Sequence, residues 1–100
     1  MIEKILVGYD GSEPSRDALT FAVKLARTFS AEVHVVAVAR PPDYGGTVET
    51  EAVIEQARRH CEHALRAARS ELAHESFKSQ FHVAVGHPAE QLVRYAEAKK

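Results

Sequence analysis

The hydrophobic residues of this chain follow two patterns that alternate along it. Three short runs are almost continuously apolar and rich in β-branched residues, and they predict strands at residues 4–9, 32–39 and 80–85. Elsewhere, apolar residues recur at every third or fourth position, which predicts helices at 14–29, at 48–75 and from about 89 to Lys100. The order β-α-β-α-β-α predicts an α/β fold in which helices cover a parallel sheet, joined by right-handed crossovers.

Turn-forming residues separate these elements. Asp10-Gly11-Ser12 ends the first strand, and Ser12 is a good N-cap for the helix that follows. A loop rich in proline and glycine occupies residues 40–46, and Gly86-His87-Pro88 turns the chain after the third strand. The sequence contains no linker and no internal repeat, so we expect one domain over residues 1–100.

The composition limits the partners and the cellular compartment that we expect for the protein. The chain has 100 residues, a net charge of −1 and one cysteine, Cys61. No overall positive field exists to attract nucleic acid or anionic lipid, so neither is expected as a partner. No apolar run approaches the length of a membrane span, and the first residues lack a signal pattern. We therefore expect a soluble cytoplasmic protein.

Ligands of open parallel sheets bind beyond the carboxyl ends of the strands, so the loops at 9–13, 39–47 and 85–88 are the candidate site. The first loop lacks both the GxGxxG and the P-loop patterns. A carboxylate at Asp10 would repel phosphate, but it suits ribose hydroxyls or a water-bound Mg²⁺. The alternative is that Asp10 only shapes the turn. Gly86-His87-Pro88 is similarly either a plain turn or part of a pocket.

Other candidate residues favour structural roles. His60 and His63 share a helix face and could bind a metal, but no third ligand has suitable spacing, so the sequence favours an exposed polar helix surface. Cys61 lies on the apolar stripe and is interpreted as packed, while His34 and His82 are interpreted as hydrogen-bonded sheet residues. The second helix also carries alternating charges, which we interpret as a solvated, ion-paired face: Arg58, Arg59, Arg66 and Arg69 among Glu55, Glu62 and Glu71. No acid–base set is visible, so an enzyme is the least expected class.

Three segments together resemble the universal stress protein family: KILVGYDGSEPSRDAL, EVHVVAVA and VAVGHPAEQLVRYAE. The resemblance implies a three-layer α/β/α domain with a parallel sheet in the order 3-2-1-4-5, and a homodimer. Many members bind ATP or AMP. It further implies that Asp10 faces the ribose and that Val38 lies against the adenine. Gly11 and Ser12 would border the same pocket, and Gly86 would stand at the rim of the third strand.

The sequence departs from the family pattern at its end. A glycine motif that follows a fourth strand and holds the phosphates in nucleotide-binding members is not found before Lys100. We therefore expect a domain truncated after its third β-α unit, with ATP affinity lost or weaker than about 1 mM. The apolar first strand at 5–7 would be left as an open edge, which predicts a homo-oligomer. The alternative function is an interaction or regulatory module that binds no nucleotide.

Overall fold

The computed structural model describes residues 2–40 and 48–99. Six elements follow one another in the predicted order: β1 (Lys4–Gly8), α1 (Glu13–Phe29), β2 (Glu32–Ala39), α2 (Val48–Leu72), β3 (Ser79–Val85) and α3 (Pro88–Ala98). Their first and last residues lie within one residue of the predicted bounds, except that α2 ends at Leu72 and α3 ends at Ala98, two residues before the predicted Lys100. Most of the predicted loop at 40–46 lies outside the described residues.

The three strands form one parallel sheet in the order β1-β2-β3. The central strand β2 is longest, and its register places Val35 beside Val7 on one side and beside Phe81 on the other. Five consecutive residues of β2, 33–37, are buried from solvent, which is typical of a strand covered on both faces. The predicted α/β fold with a parallel sheet is therefore confirmed.

Helices α1 and α2 pack on the same face of the sheet. Alternate residues of β2, among them Val33 and Val35, meet buried residues of both helices to form the main core: Leu19, Ala22 and Ala26 of α1, and Leu65, Ala68 and Leu72 of α2. The small alanines let the helices approach the sheet closely, and Leu19 is completely buried. This face supplies most of the apolar burial that stabilises the described structure.

Helix α3 packs on the opposite face, which completes the three layers. His34 of β2 is 3% exposed, and its Nδ1 lies 2.7 Å from the hydroxyl of Tyr95 on α3. Its Nε2 lies 3.1 Å from a carboxylate oxygen of Glu32, and this hydrogen bond lowers the pKa of Glu32. Both ring nitrogens thus have partners, which confirms the interpretation of His34 as a hydrogen-bonded sheet residue.

The second helix ends three residues earlier than predicted, at Leu72 rather than at residue 75. After Leu72 the helical hydrogen bonds are replaced by the shorter type that joins residues three apart, as between the N–H of Glu75 and the carbonyl of Leu72. This places the Glu75 carboxylate against Arg27 at the end of α1, where two hydrogen bonds of 2.8 and 2.5 Å join the side chains. The helix-period pattern of the sequence contains no signal for this partner 48 residues away.

No helix among residues 2–40 and 48–99 is long and apolar enough to cross a membrane. This finding agrees with the hydropathy of the sequence.

Candidate functional site

The carboxyl ends of β1 and β2 lie side by side, and two adjoining clefts open there beside the turn at residues 10–12. Asp10 and Val38 line both clefts. The first cleft, of about 440 Å³, opens towards α3 and is also lined by Ser12, Pro88 and Leu92. The second, of 570 Å³, opens towards α2. The sequence-predicted residues Asp10, Ser12 and Val38 are therefore brought together.

The Asp10-Gly11-Ser12 turn is held by its own side chains. One carboxylate oxygen of Asp10 accepts a 2.9 Å hydrogen bond from the N–H of Ser12, which is the geometry of an Asx turn. The Ser12 hydroxyl in turn accepts from the N–H of Ser15 and caps α1. These contacts show that Asp10 does shape the turn. They also fix the direction of its carboxylate at the mouth of both clefts.

Hydrogen bonds within the turn stabilise the ionised form of the Asp10 carboxyl. Hydrogen bonding from Ser12, and then from Ser15, lowers the pKa of the Asp10 carboxyl below its usual value. The side chain is nevertheless exposed. An exposed, ionised carboxylate beside a cleft can accept further hydrogen bonds from the hydroxyl groups of a ligand, and it disfavours direct contact with a phosphate.

The two predicted glycines have different roles. Gly11 has a φ of 84°, a left-handed conformation that the tight turn requires and that glycine adopts without strain. Gly86 also has a positive φ, of 146°, and an added Cβ would meet the side chain of Gln91 at 2.6 Å. Its N–H bonds to the carbonyl of Ala39 at the end of β2. Gly86 therefore shapes the sheet edge and does not line either cleft that contains Asp10.

Val38 gives the site an apolar wall. It is half-buried at the end of β2, on the face that carries α3. Leu92 and Pro88 extend the apolar surface on that side, and Val53 and Ala57 extend it on the side of α2. The first cleft combines this apolar wall with the Asp10 carboxylate and the hydroxyl groups of Ser12 and Ser15. Such a surface suits a flat heterocycle joined to a polyhydroxylated group.

Sequence reasoning missed several residues of the second cleft. Arg40 lies in the candidate loop at 39–47, but the sequence analysis did not single it out. His60 and Cys61 line the same cleft, although the sequence favoured a plain helix surface for the histidine. Cys61 is half-buried against the core, as its place on the apolar stripe predicted, and burial raises the pKa of its thiol. No group of three or more metal-ligating side chains occurs in the described parts of the chain.

The family and structural comparisons agree on the relatives of this chain. Residues 1–100 match the model of the universal stress protein family. None of the curated proteins matches the chain. The structure is similar to the universal stress protein UspA from Lactobacillus plantarum, with a TM-score of 0.86 and 22% identity over 97% of this chain and 70% of that one.

Two further solved structures show the same fold. A universal stress protein family member from Burkholderia pseudomallei has a TM-score of 0.83 and 24% identity, covering 96% of this chain and 74% of that one. A universal stress protein solved in complex with cAMP has a TM-score of 0.57 and 20% identity, covering 96% and 64%. At these identities the likeness establishes the fold.

Proposed function

This chain belongs to the universal stress protein family, and from that premise we propose that it binds the adenosine part of an adenine nucleotide, ATP or AMP, over Asp10 and Val38. The observation that carries the proposal is the convergence of these two side chains in both clefts at the sheet edge. A relative of the same fold has been solved with cAMP, which is an adenine nucleotide. That complex supports adenine as the base that the proposed site would bind.

Each part of adenosine has a matching group. The half-buried Val38 and its apolar neighbours would contact a face of the adenine ring, since flat apolar rings are favoured in such clefts. The Asp10 carboxylate would accept hydrogen bonds from the ribose hydroxyls, which charge assistance makes stronger than neutral ones. Binding of this kind would let the nucleotide shift the population of a signalling conformation. A Mg²⁺ ion near the phosphates would reach Asp10 through water.

The test is a titration of the protein with AMP, followed by the NMR signals of the valine methyl groups. We expect the Val38 methyls to shift in a saturable way, because the adenine ring current acts on groups that touch the ring. Val33 lies at the other end of the same strand and is completely buried, so its methyls serve as the matched control. Equal shifts at both valines, or no saturable shift at Val38, would contradict the proposal.

The second candidate function is an interaction module, and its supporting observation is the open side of β1. The N–H of Tyr9 and the carbonyl of Glu3 form hydrogen bonds with β2, so the odd-numbered residues of β1 face β2. Because backbone groups alternate in direction along a strand, those of the even-numbered Leu6 and Gly8 point away from β2. Among the described residues β1 pairs with β2 alone. The side chain of Val7 is buried under α1, so the open feature is the backbone edge and not the apolar face.

We propose on this ground that copies of the protein associate through β1. Sedimentation equilibrium over a broad dilution series measures this directly. We expect a mass above the 11.0 kDa of one chain, falling as the protein is diluted. A constant monomer mass across the series would show that the edge of β1 is not an interface between copies.

A further inference from the structure

The outer edge of β3 and the neighbouring side of α2 form a basic cleft that the proposed nucleotide site does not use. The cleft measures 400 Å³, and its walls are arginines of the helix and the partly buried side chains of the strand: Arg58, Arg66, Arg69, Phe81 and Val83. Glu62 is the only acidic residue among its lining residues. A chain with a net charge of −1 thus carries a local excess of positive charge here.

The arginines of this cleft are available to a partner. In the described part of the chain, no ion pair is formed by Arg58, Arg66 or Arg69, whereas Arg59 pairs with Glu55 at 3.9 Å. Arg69 instead lies over the ring of Phe81, 4.9 Å from its centroid. This cation–π contact holds a positive charge directly beside the strand.

The strand at this cleft also has unpaired backbone groups. The N–H of Gly86 bonds to Ala39, and the carbonyl of Lys78 accepts from Val33, so even-numbered residues of β3 face β2. Backbone groups alternate in direction along a strand, and those of Phe81 and Val83 therefore point to the free edge. Among the described residues β3 pairs with no other strand. An open edge of this kind is a template for one more strand.

We propose that this cleft binds an extended acidic peptide segment of a partner protein, which adds to the sheet beside β3. Backbone hydrogen bonds at Phe81 and Val83 would supply the alignment, and the arginines would select acidic side chains. The helix rises about 12 Å from Arg58 to Arg66. Side chains four residues apart on an added strand are separated by about 13 Å, so two acidic residues match that spacing.

Charge argues against a second copy as the occupant. Two copies joined edge to edge through β3 would bring two sets of these arginines towards each other, and like charges across an interface are unfavourable. The acidic peptide is complementary instead. The proposal does not depend on nucleotide binding, since Asp10 and Val38 line other clefts.

The test uses the full protein and a short fluorescein-labelled peptide of alternating glutamate and valine, with a peptide of alternating lysine and valine as its control. Fluorescence anisotropy should show saturable binding of the glutamate peptide that weakens as salt is added. We expect the paired variant Arg58→Gln/Arg66→Gln to bind it about tenfold more weakly. Arg59→Gln, on the same helix but outside the cleft, is the matched control and should change the affinity less than twofold.

Hydrogen exchange reports the added strand directly. Saturating peptide should slow exchange of the Phe81 and Val83 amides at least about tenfold, because these N–H groups gain partners. The amide of Ala84, which faces β2 already, should not change. The proposal is overturned if the lysine peptide binds as well as the glutamate peptide. It is also overturned if inorganic polyphosphate displaces the peptide and no amide of β3 becomes protected, since the cleft would then be a simple anion site.

Discussion

A Leu19→Ala variant is expected to lose about 3 kcal/mol of unfolding free energy. Leu19 has no exposed surface and sits where α1 crosses the sheet, among Val7, Val33 and Val35. Removing its isobutyl group deletes buried apolar contacts and leaves a cavity, because the β-sheet below and the alanines of α1 cannot move in to fill it. A domain of this size unfolds with a modest free energy, so such a loss removes a large part of it.

Urea unfolding followed by circular dichroism measures the effect, since the midpoint shifts with the free energy while the slope stays constant. Phe21→Ala is the matched control on the same helix, because Phe21 is 63% exposed. It should change the unfolding free energy by less than about 0.5 kcal/mol. An equal loss in both variants would contradict the described packing of α1 and would indicate that Phe21 is covered in solution.

The elements of the fold were predictable because each depends on residues close together in sequence. Apolar runs fixed β1, β2 and β3, and Ser12 followed by Pro14 marked the start of α1. The sheet order was predicted only through the family resemblance, because nothing local in the sequence states which strand lies in the centre. The pairing of Val35 with both Val7 and Phe81 shows that β2 has this place.

Contacts between distant side chains were not predictable. His34 and Tyr95 are 61 residues apart, and their hydrogen bond depends on how α3 crosses the sheet. The charged residues of α2 are exposed, as the sequence predicted, but most of the ion pairs expected among them are not formed in the described part of the chain. Spacing of three or four residues permits an ion pair on a helix, but it does not decide which rotamer each side chain adopts. One pair, Arg59 with Glu55, forms among the described residues, and Arg69 turns to Phe81 instead.

The candidate site was predictable in part, because the carboxyl ends of parallel strands must meet at one edge. This rule pointed to Asp10, the family resemblance added Val38, and both residues line the two clefts. It could not tell that Gly86, at the end of the outer strand, lies beside Gln91 and outside both clefts. It also could not assign His60 and Cys61 to the second cleft, because the rotation of α2 about its axis is set by packing on β2 and β3.

The substitution Asp10→Asn is expected to weaken AMP binding about tenfold or more, because a hydrogen bond to a charged group contributes about 1.5–3 kcal/mol. The amide oxygen of asparagine can still accept from the N–H of Ser12, so the turn and the cap of α1 should survive. Asparagine therefore removes the charge and leaves the shape. The Val38 methyl titration gives the affinity, and urea unfolding shows whether the stability is unchanged.

A second ligand separates recognition of the ribose from a general effect of charge. Dideoxyadenosine monophosphate lacks both ribose hydroxyls, so it should bind the unmodified protein about as weakly as AMP binds Asp10→Asn. The two changes should not add when they are combined, since each removes the same hydrogen bonds. Full additivity would place the ribose elsewhere in the cleft. If Asp10→Asn binds AMP as tightly as the unmodified protein, Asp10 does not contact the ribose. Its role would then be limited to the turn, where it accepts the hydrogen bond from the N–H of Ser12.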